Sequence, residues 1–234
     1  SIQDAVVCGN RLRVLTRRAS QETIIKHYLI PEHTRTGSST NKTVVIDDTV
    51  GELQLDVASP GYRVIPYSES SNDENGYLIL TTDHVLYHDP SRAVKIGRTV
   101  GSVVFEAVTG VEPGRFVAID CDGMLYSVQV DGQRAEVQVD RLGRTGRGNS
   151  LSYLGDGLLF VGSESGDSFT LQLLDTPDPI TKQYFTVLAT HMSMCPINSA
   201  VLCDLDGTGR QVLVAGCGEN RNGNLAILSK GISL

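Results

Sequence analysis

A chain of 234 residues with 40% hydrophobic and 20% charged residues is long and apolar enough to bury a sizeable core, which excludes a disordered class. Its formal net charge of -7 repels a phosphate backbone overall, which argues against non-specific duplex binding as the main role. No apolar run approaches the ~20 residues that span a bilayer, and the start lacks a basic-then-apolar leader, so neither a membrane partner nor secretion is expected.

Tryptophan is absent and aromatics make up 6%, so the core must be built from Val, Leu, Ile and Ala, a composition that leans towards sheet. The five cysteines, Cys8, Cys121, Cys195, Cys203 and Cys217, are odd in number and form no CxxC pair. Cys8 and Cys203 sit in apolar runs and read as small buried hydrophobes in a reducing compartment, cytosol or nucleus. The chain opens at Ser1 and enters a strand almost at once, so it reads as part of something longer.

Along the chain one unit recurs: a short apolar strand, a Gly-containing polar turn, and a second apolar strand. It runs as AVVCGNRLRVL from Ala5, YLILTTDHVLYH from Tyr77 and RFVAIDCDGMLYSVQV from Arg115. It returns as LLFVGSESGDSFTLQLL from Leu158 and QVLVAGCGENRNGNLAIL from Gln211. Asp-Gly and Asn-Gly in two of the turns supply the positive φ of tight hairpins. The spacing from Leu78 to Phe116 is 38 residues, from there to Leu159 is 43, and from there to Val212 is 53. Several short strands repeating every ~40–50 residues are the signature of a propeller blade.

The expected fold is therefore all-β, a β-propeller of four-stranded blades treated as one region over residues 1–234. At about 45 residues per blade the chain holds about five, an incomplete ring. The hairpins are expected to supply the inner strand pair of each blade. TVVIDD, ELQLDV and YRVIPY, between Thr43 and Tyr67, are expected as outer strands. The polar stretches from Pro31, Ser68, Asp140 and Asp175 read as solvated loops.

Several residues carry possible chemistry. In CDLDGTGRQVLVAG, Asp204, Asp206 and Gly207 look like the start of a calcium loop of integrin-type propellers. Calcium needs six to eight oxygens and a late acidic ligand, and Gln211 and Val212 stand where that ligand belongs. The metal reading thus rests on Asp204 and Asp206 alone, against a plain polar turn. Gly166, Asp167 and Ser168 match the nucleophile motif of one esterase family. That chemistry needs an activated His, and only His191 follows, without an Asp three residues before it. His84 and His88 have a zinc-like spacing, but on a strand four positions separate the rings by roughly 13 Å, beyond one metal. Arg141, Arg144 and Arg147 form a glycine-spaced basic run that could meet phosphate or an acidic partner, or simply keep a loop soluble. No complete triad, metal cluster or phosphate-cradling loop emerges, so neither a catalytic activity nor a cofactor is expected.

The last third carries a family pattern. Phe160, Val161, Gly162 and Ser163 precede Gly166, Asp167 and Ser168; a second block follows in Pro196, Ile197, Asp204, Leu205, Gly223, Leu225, Ile227, Gly231 and Ile232. Together they resemble the end of the first propeller in one family. It comprises the large subunit of damaged-DNA-binding protein, the large subunit of the cleavage and polyadenylation specificity factor, and splicing factor 3b subunit 3. The likeness is strongest over Leu158 to Leu234 and extends with less detail back to Tyr62. It implies a large nuclear scaffold without catalysis, whose partners are other proteins, with nucleic acid contacted at most indirectly. The relatives act as ubiquitin-ligase adaptors in DNA repair or as subunits of pre-mRNA processing complexes. The motif glycines then permit tight turns and close backbone packing.

Overall fold

The computed structural model describes residues 2–8, 11–17, 23–29, 47–54, 61–67, 76–89, 94–99, 101, 103–131, 134, 136–192, 196–205, 207–218 and 223–229. These residues form nineteen strands. The first eight are β1 (Ile2–Cys8), β2 (Arg11–Arg17), β3 (Thr23–Leu29), β4 (Asp47–Gln54), β5 (Gly61–Tyr67), β6 (Gly76–Thr81), β7 (His84–Asp89) and β8 (Val94–Thr99). Then come β9 (Phe105–Glu112), β10 (Arg115–Asp120), β11 (Met124–Asp131), β12 (Glu136–Arg144), β13 (Ser150–Gly155), β14 (Leu158–Gly162), β15 (Ser168–Leu173) and β16 (Phe185–His191). The last three are β17 (Ile197–Asp204), β18 (Gln211–Cys217) and β19 (Asn224–Leu228).

The strands pair in chain order into five antiparallel sheets: β1–β4, β5–β8, β9–β12 and β13–β16, each four-stranded, and the three-stranded β17–β19. Five sheets in meander order match the expected blades of an all-β propeller. By contact the chain divides into two compact units, residues 1–103 with 130–137 and residues 104–129 with 138–234.

In the first unit, strands β1 and β5 lie against each other, and the Val64 amide donates to Asp4 Oδ2 at 2.8 Å. The core there joins Leu15, Val64, Tyr77, Ile79 and Leu86. Every residue of β6 is buried, which explains why it reads as an uninterrupted apolar run rather than an alternating one.

In the second unit, β13 lies between β9 and β17. Residues of β14 alternate between two cores. Leu159 and Val161 pack with Ile119, Leu125 and Leu171 towards β9–β12, while Phe160 packs with Ile197, Leu213 and Ala215 towards β17–β19. Burying a side chain of that size contributes about 2–3 kcal/mol, so each β14 position works for one interface or the other.

The register corrects one expectation. In four of the five sheets the recognisable hairpin is the middle pair, strands two and three, rather than the inner pair. Within each unit the sheets meet through their first strands, β1 with β5 in the first and β13 with β9 and β17 in the second. YRVIPY is therefore a first strand, β5, in contact with β1 rather than an outer strand. ELQLDV contributes to β4, a fourth strand at its sheet's edge, as expected. The middle pair is joined by a local connection of two to six residues and each of its strands is contiguous with its partner, whereas a first strand pairs with a single neighbour in its own sheet and meets the next sheet through contacts distant in sequence, so its pattern is weaker.

Candidate functional site: a ledge of turns beside β10, β14 and β18

Three connections of the second unit gather at one end of its sheets. The β10–β11 turn is shaped by Asp120, whose Oδ1 accepts from the amides of Asp122 and Met124, both at 2.9 Å, while Oδ2 accepts from the Tyr126 hydroxyl at 2.9 Å. Burial, and then the Asp120 carboxylate, push the Tyr126 phenol above its ordinary value, with the Arg141 guanidinium opposing. Gly123 has φ of +80°, and a Cβ there would stand 2.7 Å from the Gly146 carbonyl, so only glycine fits. Its own carbonyl accepts from the Thr145 amide at 2.8 Å, tying this turn to the β12–β13 loop.

That loop is the expected basic run, and the structure divides it. Arg141 and Arg144 belong to β12, and only Thr145 to Asn149 form the loop. All three arginines are exposed. Gly146 and Gly148, on either side of Arg147, pack rather than flex. A Cβ on Gly148 would overlap Val161 and come within 3.1 Å of Ile119 Cδ1, and one on Gly146 would stand 2.8 Å from the Phe169 ring. The Asn149 amide donates to the Gly162 carbonyl at 3.0 Å, and its Nδ2 donates to Glu164 Oε2 at 3.3 Å, so the loop is fastened to the β14–β15 turn.

The β14–β15 turn holds the Gly166–Asp167–Ser168 motif. Ser163, 2% exposed, accepts from the Gly166 amide at 3.1 Å through Oγ, and its own amide donates to Ser168 Oγ at 3.2 Å. The two serines lock the turn from opposite sides. The Ser163 carbonyl accepts from the Ile197 amide at 2.9 Å, and Asn198 Nδ2 donates to the Gly218 carbonyl at 2.6 Å. The ledge thus continues across the start of β17 and the end of β18.

Between the three connections lies a polar recess of about 220 Å³, lined by Glu106, Cys121, Arg147, Gly148, Asn149 and the turn residues Ser163 to Ser165. Arg147 shares it with two carboxylates. A phosphate entering there would meet Glu106 and Glu164, whereas a protein surface offering both donors and acceptors would find complements. Of these residues, Arg147 and Ser163 were singled out from sequence. Glu106, Cys121 and Asn149 come from separate segments with no shared motif, so only the fold brings them together.

The remaining candidates disperse. Ser168 is buried and its hydroxyl is committed to the turn; His191 Nε2 bonds Thr170 Oγ1 at 2.9 Å instead. Both oxygens of Asp204 accept from its own turn, Oδ1 from the Gly207 amide at 2.8 Å and Oδ2 from Gly209 at 2.7 Å. Asp206 and Gly231 lie outside the described residues, and Gly223 is an exposed residue before β19. Among the described residues no group of three or more His, Cys, Asp or Glu is placed to hold a metal. His84 Nδ1 lies 2.8 Å from Asp83 Oδ1, while the His88 ring packs on Tyr77 at 5.1 Å between centroids, so the pair has separate partners. Cys217 is buried in the core as a small hydrophobe, Cys203 is half-buried rather than buried as its apolar run suggests, and Cys121 is exposed in the recess; none of the three is in a disulfide. Cys195 and the Cys8 side chain lie outside the described residues.

Comparison with known proteins adds the family. A profile described as the RSE1/DDB1/CPSF1 first beta-propeller matches residues 8–193, beginning well before Tyr62, to which the likeness in sequence extends, and ending before the second motif block at Pro196. DNA damage-binding protein 1 of Caenorhabditis elegans is 30% identical over 194 residues, covering 77% of this chain and 16% of the relative. DNA damage-binding protein 1 of Oryza sativa subsp. japonica is 28% identical over 167 residues, 68% of this chain and 15% of the relative. DNA damage-binding protein 1a of Arabidopsis thaliana is 26% identical over 164 residues, again 68% and 15%. The chain therefore spans about one sixth of the length of these relatives.

Proposed function

The chain belongs to the RSE1/DDB1/CPSF1 first β-propeller family, and on that premise we propose that it is a non-catalytic scaffold that seats another protein on the ledge of turns. The observation that carries this reading is the interlocked set of turns around the recess. Asp120, Ser163 and Ser168 fix the backbone of their turns and the Asn149 side chain ties to Glu164, so the recess that Glu106, Cys121, Arg147 and Glu164 line sits on a rigid frame. A pre-organised surface loses little conformational entropy on binding, which suits a docking face. The committed positions of Ser168 and His191 support the non-catalytic reading.

The assembly proposed is nuclear, a ubiquitin-ligase complex in DNA repair or a pre-mRNA processing complex; the naming of the relatives as DNA damage-binding proteins favours the first. The test is affinity capture from nuclear extract with mass spectrometric identification. Wild type is expected to return subunits of one of these two assemblies, and Glu164→Arg to lose them by at least about tenfold. Recovery of neither class, or equal recovery by the variant, contradicts the proposal.

A further inference from the structure

The polar recess of the ledge is unbalanced both in charge and in hydrogen bonding. Glu106 and Glu164 bring two carboxylates to it, and Arg147 is the only cation among the described residues that line it. Asp122 and Asp167 stand exposed on the two flanking turns and deepen the negative field. Asn149 adds a second asymmetry. Its Nδ2 donates to Glu164 Oε2 at 3.3 Å, while its Oδ1 is enclosed and has no hydrogen-bond partner. A buried acceptor left without a donor is costly, so the recess favours an occupant rich in donors over one rich in acceptors.

Size and ligand number narrow that occupant. A recess of about 220 Å³ admits one long side chain but neither a strand nor a helix. A metal ion is disfavoured, because among the described residues no group of three or more His, Cys, Asp or Glu is placed to hold one. The carboxylates also come from separate places, Glu106 from β9 and Glu164 from the β14–β15 turn. The bond from Asn149 to Glu164 and that from the Thr145 amide to the Gly123 carbonyl brace the surrounding turns before any partner arrives.

We propose that the recess is a socket for a basic side chain. A lysine or arginine on a loop of the docked protein enters it, and Glu106 and Glu164 share the ammonium or guanidinium. The assignment rests on the ledge being a docking face and adds the chemistry of the group that docks there. Two carboxylates against one guanidinium leave a single negative charge within the recess, which suits one inserted cation rather than a basic cluster. Complementary charge of this kind sets partner choice and the rate of encounter.

Cys121 lines the same recess and can report its charge. Aminoethyl and sulfonatoethyl methanethiosulfonate are similar in size and opposite in charge, and each converts a thiol to a mixed disulfide with loss of methanesulfinate. At low ionic strength the cationic-to-anionic rate ratio at Cys121, read by peptide mass spectrometry, should exceed that of free cysteine by at least about tenfold and shrink as salt is added. Glu106→Gln combined with Glu164→Gln should cut the ratio by at least about fivefold, and Arg147→Gln should raise it. Cys217, buried in the core, should stay unreactive in every variant that is folded. A ratio like that of free cysteine, a ratio unmoved by the paired Gln substitutions in a folded variant, or a preference for the anionic reagent overturns the proposal. In capture from nuclear extract, the paired Gln variant should return the partner subunits at least about tenfold less well, and Arg147→Gln should not. Loss of those subunits by Glu164→Arg but not by the paired Gln variant overturns the basic socket and leaves the docking face standing.

Discussion

β14 and β18 hold the same place in adjacent sheets, each the second strand and each a short apolar run after a polar turn, yet their surroundings differ. Leu159, Phe160 and Val161 of β14 are all buried, because a sheet lies on either side. In β18 only alternate residues are buried, Leu213, Ala215 and Cys217. The other face of its sheet carries the cross-strand row Val201, Val214 and Ile227, with Val201 56% and Ile227 59% exposed. The composition of a strand announces that it belongs in a core. Whether both its faces are covered depends on the neighbours, which the strand itself does not encode.

That contrast can be broken by mutation, and the largest effect should fall on β14. Phe160→Ala removes a ring that is 1% exposed and packs against Ile197 and Leu213, so a loss of about 3–5 kcal/mol in chemical unfolding is expected. A smaller loss would mean that the interface between these two sheets is looser than its packing indicates. Gly148→Ala should cost about 1–3 kcal/mol, because the new Cβ overlaps Val161 and the loop is pinned at Asn149. A neutral result would show that the ledge can give way.

Tyr126→Phe is expected to cost about 1 kcal/mol at neutral pH through the lost hydrogen bond to Asp120. It also has a pH signature. The folded state holds the phenol proton more tightly than the unfolded one, whose ordinary value is 10.0. The associated stabilisation is fully present below pH 10 and is lost as pH rises through the raised folded value. Urea titrations should show that alkaline decline in wild type and a flatter one in the variant. The smallest effect belongs to the uncovered face of the last sheet: Ile227→Thr should stay within about 0.5 kcal/mol in residues 1–234. A loss like that of Phe160→Ala would abolish the contrast between the two strands.

How far the sequence discloses this arrangement depends on the range of the interactions. The hairpins of β6–β7, β10–β11, β14–β15 and β18–β19 are legible because a polar turn, glycine-containing in all but the Thr82–Asp83 turn of β6–β7, and its two flanking strands are contiguous. β13 is less so, although Asp156 and Gly157, at φ of +51° and +75°, form the kind of turn that links it to β14. The glycines among the arginines look like a flexible loop in sequence. Their cause is the non-local approach of Val161 and Phe169, which only the fold supplies. The recess was half visible, through Arg147 and Ser163. Its carboxylates and thiol arrive from β9 and from the β10–β11 and β14–β15 turns, and no local pattern announces that they converge.

The most direct measurement of the ledge as a docking face is the alkylation rate of Cys121, an exposed free thiol in the recess. It should react readily in the isolated chain and at least about tenfold more slowly once the chain is assembled with its captured partners. Equal reactivity in both states would contradict a partner seated there.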